Sequence, residues 1–271
     1  MNYSPNKMSA MALRNLQKWY WRIHRARRNF EHAIRSKRAL KNGAKTAHFL
    51  HINKAAGSAV KETLFSHRIT EQYVLKLHTH DTTLEDVPKG EKFFFFLRDP
   101  VSRFVSGFNQ QLNRGAPKYE TEWSEEEEKV FSAFDSAEKI ALALSSRDES
   151  LRKLAETGMK CINHVRTFYS DWFISDEYFE SRIEDLLFIG FQEHMDRDFA
   201  MLSKLLGLPK DTTLPNDPVM ANKSEVLQHG RYENRKKLSS LAMHNISQWY
   251  AKDIDFYNKC TELARTCWRQ D

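Results

Sequence analysis

The sequence predicts an α/β fold: a three-layer core with a mostly parallel central sheet, followed by a helical C-terminal half. Short apolar runs alternate with helix-like stretches in roughly the first hundred residues, which is typical of parallel strands joined by helical crossovers. The run at 92–97 contains four consecutive phenylalanines and predicts a strand covered on both faces. Beyond residue 124, helix-start signals dominate.

Size and composition indicate one sizeable core. The chain has 271 residues, of which 41% are hydrophobic and 29% are charged. We predict a basic helical N-terminal extension at 1–45 and a single α/β domain at 46–271. The net charge of +6 favours an anionic partner, but charge alone does not choose among a nucleotide, a nucleic acid, an acidic glycan and a lipid headgroup.

The cysteines indicate a reducing compartment. There are three of them, Cys161, Cys260 and Cys267, without the spacing of metal ligands. In one helix the last two would lie on the order of 10 Å apart, beyond the reach of a disulfide. No run approaches the roughly 20 apolar residues that span a bilayer. We therefore expect a cytoplasmic protein, peripheral to a membrane at most, and no metal.

The N-terminal extension is dense in arginine and lysine and contains the aromatic cluster 19–21. A basic amphipathic helix is predicted over 9–40. Such a helix could pack on the domain, grip a partner or make peripheral contact with an anionic membrane. The sequence leaves these three roles open.

The remaining elements are predicted from apolar runs and capping signals. Strands are expected at 47–52, 73–77, 92–97 and 186–190. Helices are expected to begin at residue 58, at Asp99 with Pro100, at Ser124 with Glu127 and at Asp135 with Glu138. Two more are expected over 195–206, where Gly207 ends the helix, and over 225–265.

The first segment that points to chemistry follows the strand at 47–52. Lys54 lies in the turn, and Gly57 and Ser58 begin the next helix, whose N-terminal N–H groups attract anions. In a nucleoside-triphosphate loop the lysine follows the second glycine, whereas Lys54 precedes Gly57. The anion is therefore expected to be held differently. For this segment alone, an exposed turn lysine is the alternative.

The second segment follows the strand at 92–97. Asp99 is a natural N-cap and Pro100 is favoured at the first helical position. Arg98 ends the strand and Ser106 lies on the helix, so the two can hold one phosphate through paired guanidinium hydrogen bonds and a hydroxyl. A surface pair between Arg98 and Asp99 is the alternative. Together, the two segments indicate a ligand with two separate phosphate groups.

These segments resemble the two nucleotide-binding loops of sulfotransferases that use 3′-phosphoadenosine 5′-phosphosulfate (PAPS), especially the membrane-glycan group that includes heparan sulfate 2-O-sulfotransferases. The second pattern, approximately Arg-Asp-Pro-x-x-Arg-x-x-Ser-x-Tyr/Phe, is matched from Arg98 to Phe108. In the first, approximately Pro-Lys-Thr-Gly-Gly-Thr-Ser, Asn53, Ala55 and Ala56 replace the proline, the first threonine and the first glycine. The resemblance implies a P-loop-NTPase-like sulfotransferase fold.

The resemblance also implies PAPS as co-substrate, no metal, and in-line transfer of a sulfuryl group to a hydroxyl of a carbohydrate or glycolipid. It implies that Lys54 contacts the 5′-phosphosulfate and that Arg98 and Ser106 hold the 3′-phosphate. The implied PAPS-binding set is Lys54, Ala55, Ala56, Gly57, Ser58, Ala59, Arg98, Ser106, Lys223 and Ser224.

A general base must take the proton of the acceptor hydroxyl. His80 and its neighbour His78 follow the strand at 73–77, on the same sheet edge as the phosphate segments, and neutral imidazole is well populated near pH 7. Their His-Thr-His pattern is similar to the His-x-His of glycan 2-O-sulfotransferases. His164 and Arg166 lie in a segment that resembles the acceptor side of the family.

Two other functions remain as alternatives. A nucleotide or nucleoside kinase would need a triphosphate loop and a magnesium-holding acid. A non-enzymatic nucleic-acid-binding or membrane-binding protein would use the basic extension. The preferred hypothesis is the sulfotransferase, for which no nucleic-acid partner is expected.

Overall fold

A computed structural model describes residues 19, 27, 30–116, 121–215 and 238–268. Within them, one sheet has the order β2-β1-β3-β4, and each neighbouring pair is parallel. Its strands are β1 (Lys45–Leu50), β2 (Tyr73–Leu77), β3 (Lys92–Leu97) and β4 (Leu186–Phe191). The predicted α/β fold is confirmed, and β1 begins two residues earlier than the apolar run at 47–52 suggested.

Helices account for most of the other described residues. They are α1 (residues 30–41), α2 (Gly57–Phe65), α3 (Pro100–Leu112), α4 (Glu125–Ala133), α5 (Ala137–Ala143), α6 (Glu149–Cys161), α7 (Ser170–Phe173), α8 (Asp176–Glu180), α9 (Met195–Leu206), α10 (Ser240–Trp249) and α11 (Ala251–Trp268).

The phenylalanine strand β3 explains the three layers. Its side chains alternate, so Phe93 and Phe95 face one side of the sheet while Phe94 and Phe96 face the other. The first pair packs with residues of α7, α8 and α11, and the second with residues of α2 and α9. At Gly190 on β4, an added Cβ would lie 2.3 Å from Phe96 Cε1, so only glycine leaves room for that ring.

A second core lies among the helices alone. Apolar residues of α3, α4, α5, α6 and α10 form one buried cluster, which includes Phe104, Phe108, Ile140 and Met159. This cluster confirms the predicted helical character of the C-terminal half. It also gives α3 a fixed position beyond the end of β3.

Two predicted helix boundaries were wrong. The N-cap of α5 is Ser136, whose Oγ accepts from Lys139 N at 3.3 Å, whereas Asp135 forms an ion pair with Lys139 Nζ at 2.9 Å. The expected single helical region at 225–265 is interrupted at Tyr250, whose hydroxyl donates to the Val165 carbonyl. Residues 216–237, which hold the start of that region, lie outside the described part of the chain.

Several sequence expectations have structural counterparts among the described residues. The predicted capping box of Ser124 and Glu127 is present. Cys161, Cys260 and Cys267 are free thiols, and the last two lie on α11. No described helix combines the length and apolar character needed to cross a bilayer. The predicted division between residues 45 and 46 remains a prediction.

The sheet order brings the two sequence segments together. The chain leaves β1 for β2 on one side and leaves β3 for β4 on the other, so the connections diverge between β1 and β3. Ligands of open α/β sheets bind at such a switch point, outside the carboxyl ends of the strands. Lys54 follows β1 and Arg98 follows β3, so both lie at this point.

Candidate functional site

The segment after β1 forms a strained turn before α2. Lys54 has φ 63° and Ala56 has φ 60°, both in the left-handed region that costs non-glycine residues on the order of 1 kcal/mol each. Ala56 is the N-cap of α2, and no side chain caps the helix. The turn therefore keeps a glycine-like conformation although alanine replaces glycine, and it leaves N–H groups of the first turn available to an anion.

Gly57 is required by contact rather than by its backbone angle. An added Cβ would lie 2.1 Å from Cδ2 and 2.6 Å from Nε2 of His51. The buried His51 ring thus lies directly against the start of α2. Ala55 and Ala59, two more of the predicted loop residues, are buried as well.

The segment after β3 forms the helix start that its sequence predicts. Asp99 accepts a hydrogen bond from Ser102 N at 2.8 Å, and Pro100 is the first residue of α3. The Asp99 carboxylate thus caps the helix. Tyr169 fixes the strand exit, because its hydroxyl donates to the Arg98 carbonyl and accepts from Arg98 N at 3.3 Å.

A cleft of about 520 Å³ opens beside Arg98. Arg98, Ser102 and Ser106 line it, and across from them Gln192, Met243 and Ser247 contribute. The Nε atom of Arg98 is buried and has no hydrogen-bond partner among the described residues. A volume of this size suits a small ligand, and a buried guanidinium N–H without an acceptor favours an anionic one.

Lys54 meets the same helix that carries Ser106. Its Nζ donates a hydrogen bond to Gln110 Oε1. Gln110 lies four residues after Ser106 on α3, one turn along the same face, which is about 6 Å at helical rise. The structure therefore brings the two predicted phosphate segments together along one face of α3.

His80 lies in a cluster with two other histidines. Its ring centroid is 3.9 Å from that of His51 and 6.4 Å from that of His164. Its Nδ1 lies 2.8 Å from the His51 carbonyl oxygen, and its own carbonyl accepts from Trp172 Nε1 at 2.8 Å. Two bonds from different elements thus hold His80 at the carboxyl edge of the sheet.

The pKa values of His80 and His164 are depressed. Loss of water around the ring lowers the pKa of His80, outweighing the hydrogen bond to the His51 carbonyl, and the charges of Lys61 and Lys54 lower it further. Burial, followed by the charges of Lys54 and His80, lowers the pKa of His164 to about 4. Both rings are therefore neutral near pH 7, the state that a general base needs.

His78 belongs to a different network. Its Nε2 lies 2.8 Å from His48 Nδ1, and His48 Nε2 lies 2.5 Å from Glu91 Oε2. Burial and the neighbouring His48 lower the pKa of His78 to about 4. The contacts of the His78 ring lead toward Glu91, whereas those of His80 lead toward His51 and His164. The two predicted bases thus belong to different networks of ring contacts.

The predicted acceptor residues differ in their surroundings. His164 has φ 64°, and its buried Nδ1 has no partner among the described residues. Gly107 lets this backbone approach α3, because an added Cβ there would lie 3.1 Å from the His164 carbonyl oxygen. Arg166 is exposed. Lys223 and Ser224 lie outside the described residues.

Arg103, part of the second segment's pattern, has a structural role that sequence reasoning missed. It is only 1% exposed and donates to Asp253 Oδ2 at 2.7 Å and to the Thr167 carbonyl at 2.6 Å. Asp253 Oδ1 accepts from Tyr169 N at 2.9 Å. Arg103 thereby joins α3, α11 and the residue that holds Arg98.

His51 and Gln110 were also missed by sequence reasoning. His51 lies three residues before Lys54, at the end of the predicted strand at 47–52, so its position offered a signal. Gln110 offered one only through its spacing of four from Ser106. Within the described ranges, no three or more His, Cys, Asp or Glu side chains are grouped in a way that could hold a metal ion.

Comparison with known proteins identifies the family. No curated protein matches the chain. A sequence model described as "Sulfotransferase family" matches residues 10–259 and so covers nearly the whole chain, including both segments, the histidine cluster and Asp253. The four-stranded parallel sheet is consistent with the fold of that family. The chain therefore belongs to the sulfotransferase family, and it is a transferase.

Proposed function

We propose that this enzyme uses PAPS as sulfuryl donor and a hydroxyl of a carbohydrate or glycolipid as acceptor. The observation that carries the proposal is the meeting of Lys54 and the Arg98–Ser106 cleft along one face of α3. A donor with phosphate groups on the 3′ and 5′ positions of one ribose needs two cationic positions in a single site. The family match supports sulfuryl transfer in general.

Arg98 and Ser106 are proposed to hold the 3′-phosphate. The buried Nε of Arg98 supplies a donor without a competing acceptor among the described residues, and the Ser106 hydroxyl lines the same cleft. A guanidinium gives directional, charge-assisted hydrogen bonds to phosphate oxygens. The remainder of the cleft would take the nucleoside.

Lys54 and the start of α2 are proposed to bind the 5′-phosphosulfate. The Lys54 ammonium would neutralise charge on the bridging oxygen as the bond from sulfur to that oxygen breaks. Uncapped N–H groups at Gly57 and Ser58 would hold the adjoining phosphate. Gln110 keeps the lysine near α3 before the donor binds.

His80 is proposed as the general base. As the acceptor oxygen bonds to sulfur, its proton would pass to His80 Nε2, and 3′-phosphoadenosine 5′-phosphate (PAP) would leave in line. His164 lies beside His80, with ring centroids 6.4 Å apart, and is a candidate contact for the acceptor. Arg166, exposed two residues later, could contact an acidic sugar. A carbohydrate acceptor rests on the resemblance of these segments alone.

The donor is tested by thermal shift and by transfer. PAP should raise the melting temperature more than ADP or ATP with magnesium, and labelled PAPS should pass its sulfuryl group to a panel of glycans. Lys54→Ala should remove most activity, whereas Lys45→Ala, an exposed lysine at the other end of β1, should not. Stabilisation by ATP with magnesium and none by PAP would instead favour a kinase.

A further inference from the structure

The outward face of α1 exposes large apolar side chains. Phe30 is 67% exposed and Ile34, one turn later, is 52% exposed. The partly buried residues of α1 are His32, Ser36 and Ala39, which lie on the opposite side at about 100° per residue. Large exposed apolar groups grouped on one face usually mark a surface that contacts something else.

Cations surround these apolar groups. Lys37, Arg38 and Lys41 are exposed and lie within about 60° of Ile34 around the helix axis. The acidic residue of α1 is Glu31, at the edge of this face, and it is paired with Arg27 at 2.8 Å. The face defined by Phe30, Ile34, Lys37, Arg38 and Lys41, here named the α1 face, thus combines apolar and cationic groups, and the acid at its edge is already paired with a cation.

We infer that the α1 face docks on an anionic lipid bilayer. Its two apolar side chains would enter the boundary between headgroups and acyl chains, and its cations would meet headgroup phosphates and carboxylates. A soluble polyanion would use the cations but leave Phe30 and Ile34 in water. Trp19, helical and 62% exposed, adds an aromatic side chain of the kind favoured at membrane interfaces.

The position of α1 leaves the candidate site accessible. α1 leads into the amino end of β1, and it borders a small cleft with residues 65–69, which precede β2. Lys54, His80 and Arg98 follow the carboxyl ends of their strands. Bilayer docking would therefore occur at the edge of the sheet opposite the site, and it does not depend on the proposed reaction.

Co-sedimentation of the full chain with vesicles tests this inference. Binding is expected to vesicles of phosphatidylcholine with about 30% phosphatidylserine, to fall steeply as salt is raised, and to be weak with phosphatidylcholine alone. Phe30→Ser/Ile34→Ser and Lys37→Glu/Lys41→Glu should each lower the affinity by about tenfold or more. Both variants should keep the melting temperature and PAP binding of the parent protein.

Two control variants match these changes elsewhere. Leu151→Ser/Leu241→Ser removes two exposed leucines. Lys204→Glu/Lys252→Glu, at exposed positions of α9 and α11, changes the net charge by the same amount as Lys37→Glu/Lys41→Glu. Both should bind vesicles like the parent protein. An equal loss in the control variants would show a general charge effect and overturn the inference. The inference would also be overturned if the parent protein did not bind the vesicles. A third contrary outcome is a parent dimer in light scattering that Phe30→Ser/Ile34→Ser converts to a monomer while the affinity for vesicles stays unchanged.

Discussion

His80 is oriented by the backbone of His51. Its Nδ1 lies 2.8 Å from the His51 carbonyl oxygen, and a carbonyl oxygen can only accept a hydrogen bond. Nδ1 therefore carries the hydrogen, and in the neutral ring the lone pair is on Nε2. Because this bond uses backbone, it survives substitution of the His51 side chain.

The pH dependence of kcat/KM should report the lowered pKa of His80. A general base acts in its neutral form, so with His80 as the proposed base activity should persist as pH falls below 6.5, the ordinary value, and should decline only at the lower pKa. His80→Ala should reduce kcat by about 10²- to 10⁴-fold and remove this acid limb while PAP affinity is kept. His78→Ala should keep the limb. If the acid limb of the pH profile were unchanged in His80→Ala, the general base would be another group, and His164 would be tested next.

Arg98 should determine selectivity for a 3′-phosphate. Arg98→Ala should weaken PAP binding by about 1.5–3 kcal/mol, the usual value of hydrogen bonds to charged groups, and leave AMP binding nearly unchanged. Calorimetric titration of both nucleotides measures the difference. Arg114→Ala is the control, because it removes an exposed cation stacked 4.3 Å over the Trp123 ring. It should alter the affinity for neither PAP nor AMP. Equal weakening of PAP and AMP would contradict the assignment.

Gly57 and His51 should behave as a coupled pair. Gly57→Ala forces its Cβ into the His51 ring and should lower the free energy of unfolding by about 1–3 kcal/mol. At about 2–4 °C per kcal/mol, differential scanning fluorimetry can measure this loss. His51→Ala/Gly57→Ala should recover part of it, since the ring is gone. No recovery in the double variant would mean that the glycine is required for another reason.

The buried pair of Arg103 and Asp253 should stabilise the molecule only as a pair. Asp253→Asn keeps an oxygen for Tyr169 N but leaves the Arg103 charge unmatched, so about 3–5 kcal/mol of unfolding free energy should be lost. Arg103→Met/Asp253→Asn buries no charge and should lose less than Asp253→Asn alone. Urea denaturation of the parent protein and the two variants gives the comparison, and an equal or larger loss in the double variant would argue against a coupled pair.

Much of the fold could be read from local patterns. The burial of all four phenylalanines of β3, the Asp99 and Ser124 caps and the helix end at Gly207 each depend on residues close in sequence. Such signals act over one or two turns, so they are visible without the fold. Competition between adjacent cap residues is not visible in this way. The sequence therefore pointed to Asp135, whereas Ser136 is the N-cap of α5.

The candidate site was only partly predictable. Lys54, Arg98, Ser106 and His80 follow strands, and the rule for parallel sheets places strand ends at one edge. Which histidine joins His51 and His164 depends on contacts between distant segments. His80 meets His164 across 84 positions, and the ring of His78 turns instead to His48.

By itself, the sequence determined the sheet's strands, the two helix starts after β1 and β3, and the cations and serine that accompany them, because hydrogen bonding and side-chain periodicity within a few residues decide these features. Only the tertiary structure decided that Lys54 contacts Gln110 and that His51 lies against Gly57. It alone also decided that Arg103 forms a buried ion pair with Asp253. Those outcomes depend on strand order and on how α3 packs against α11. Packing across long sequence separations carries no local signature, so it becomes visible only in the folded chain.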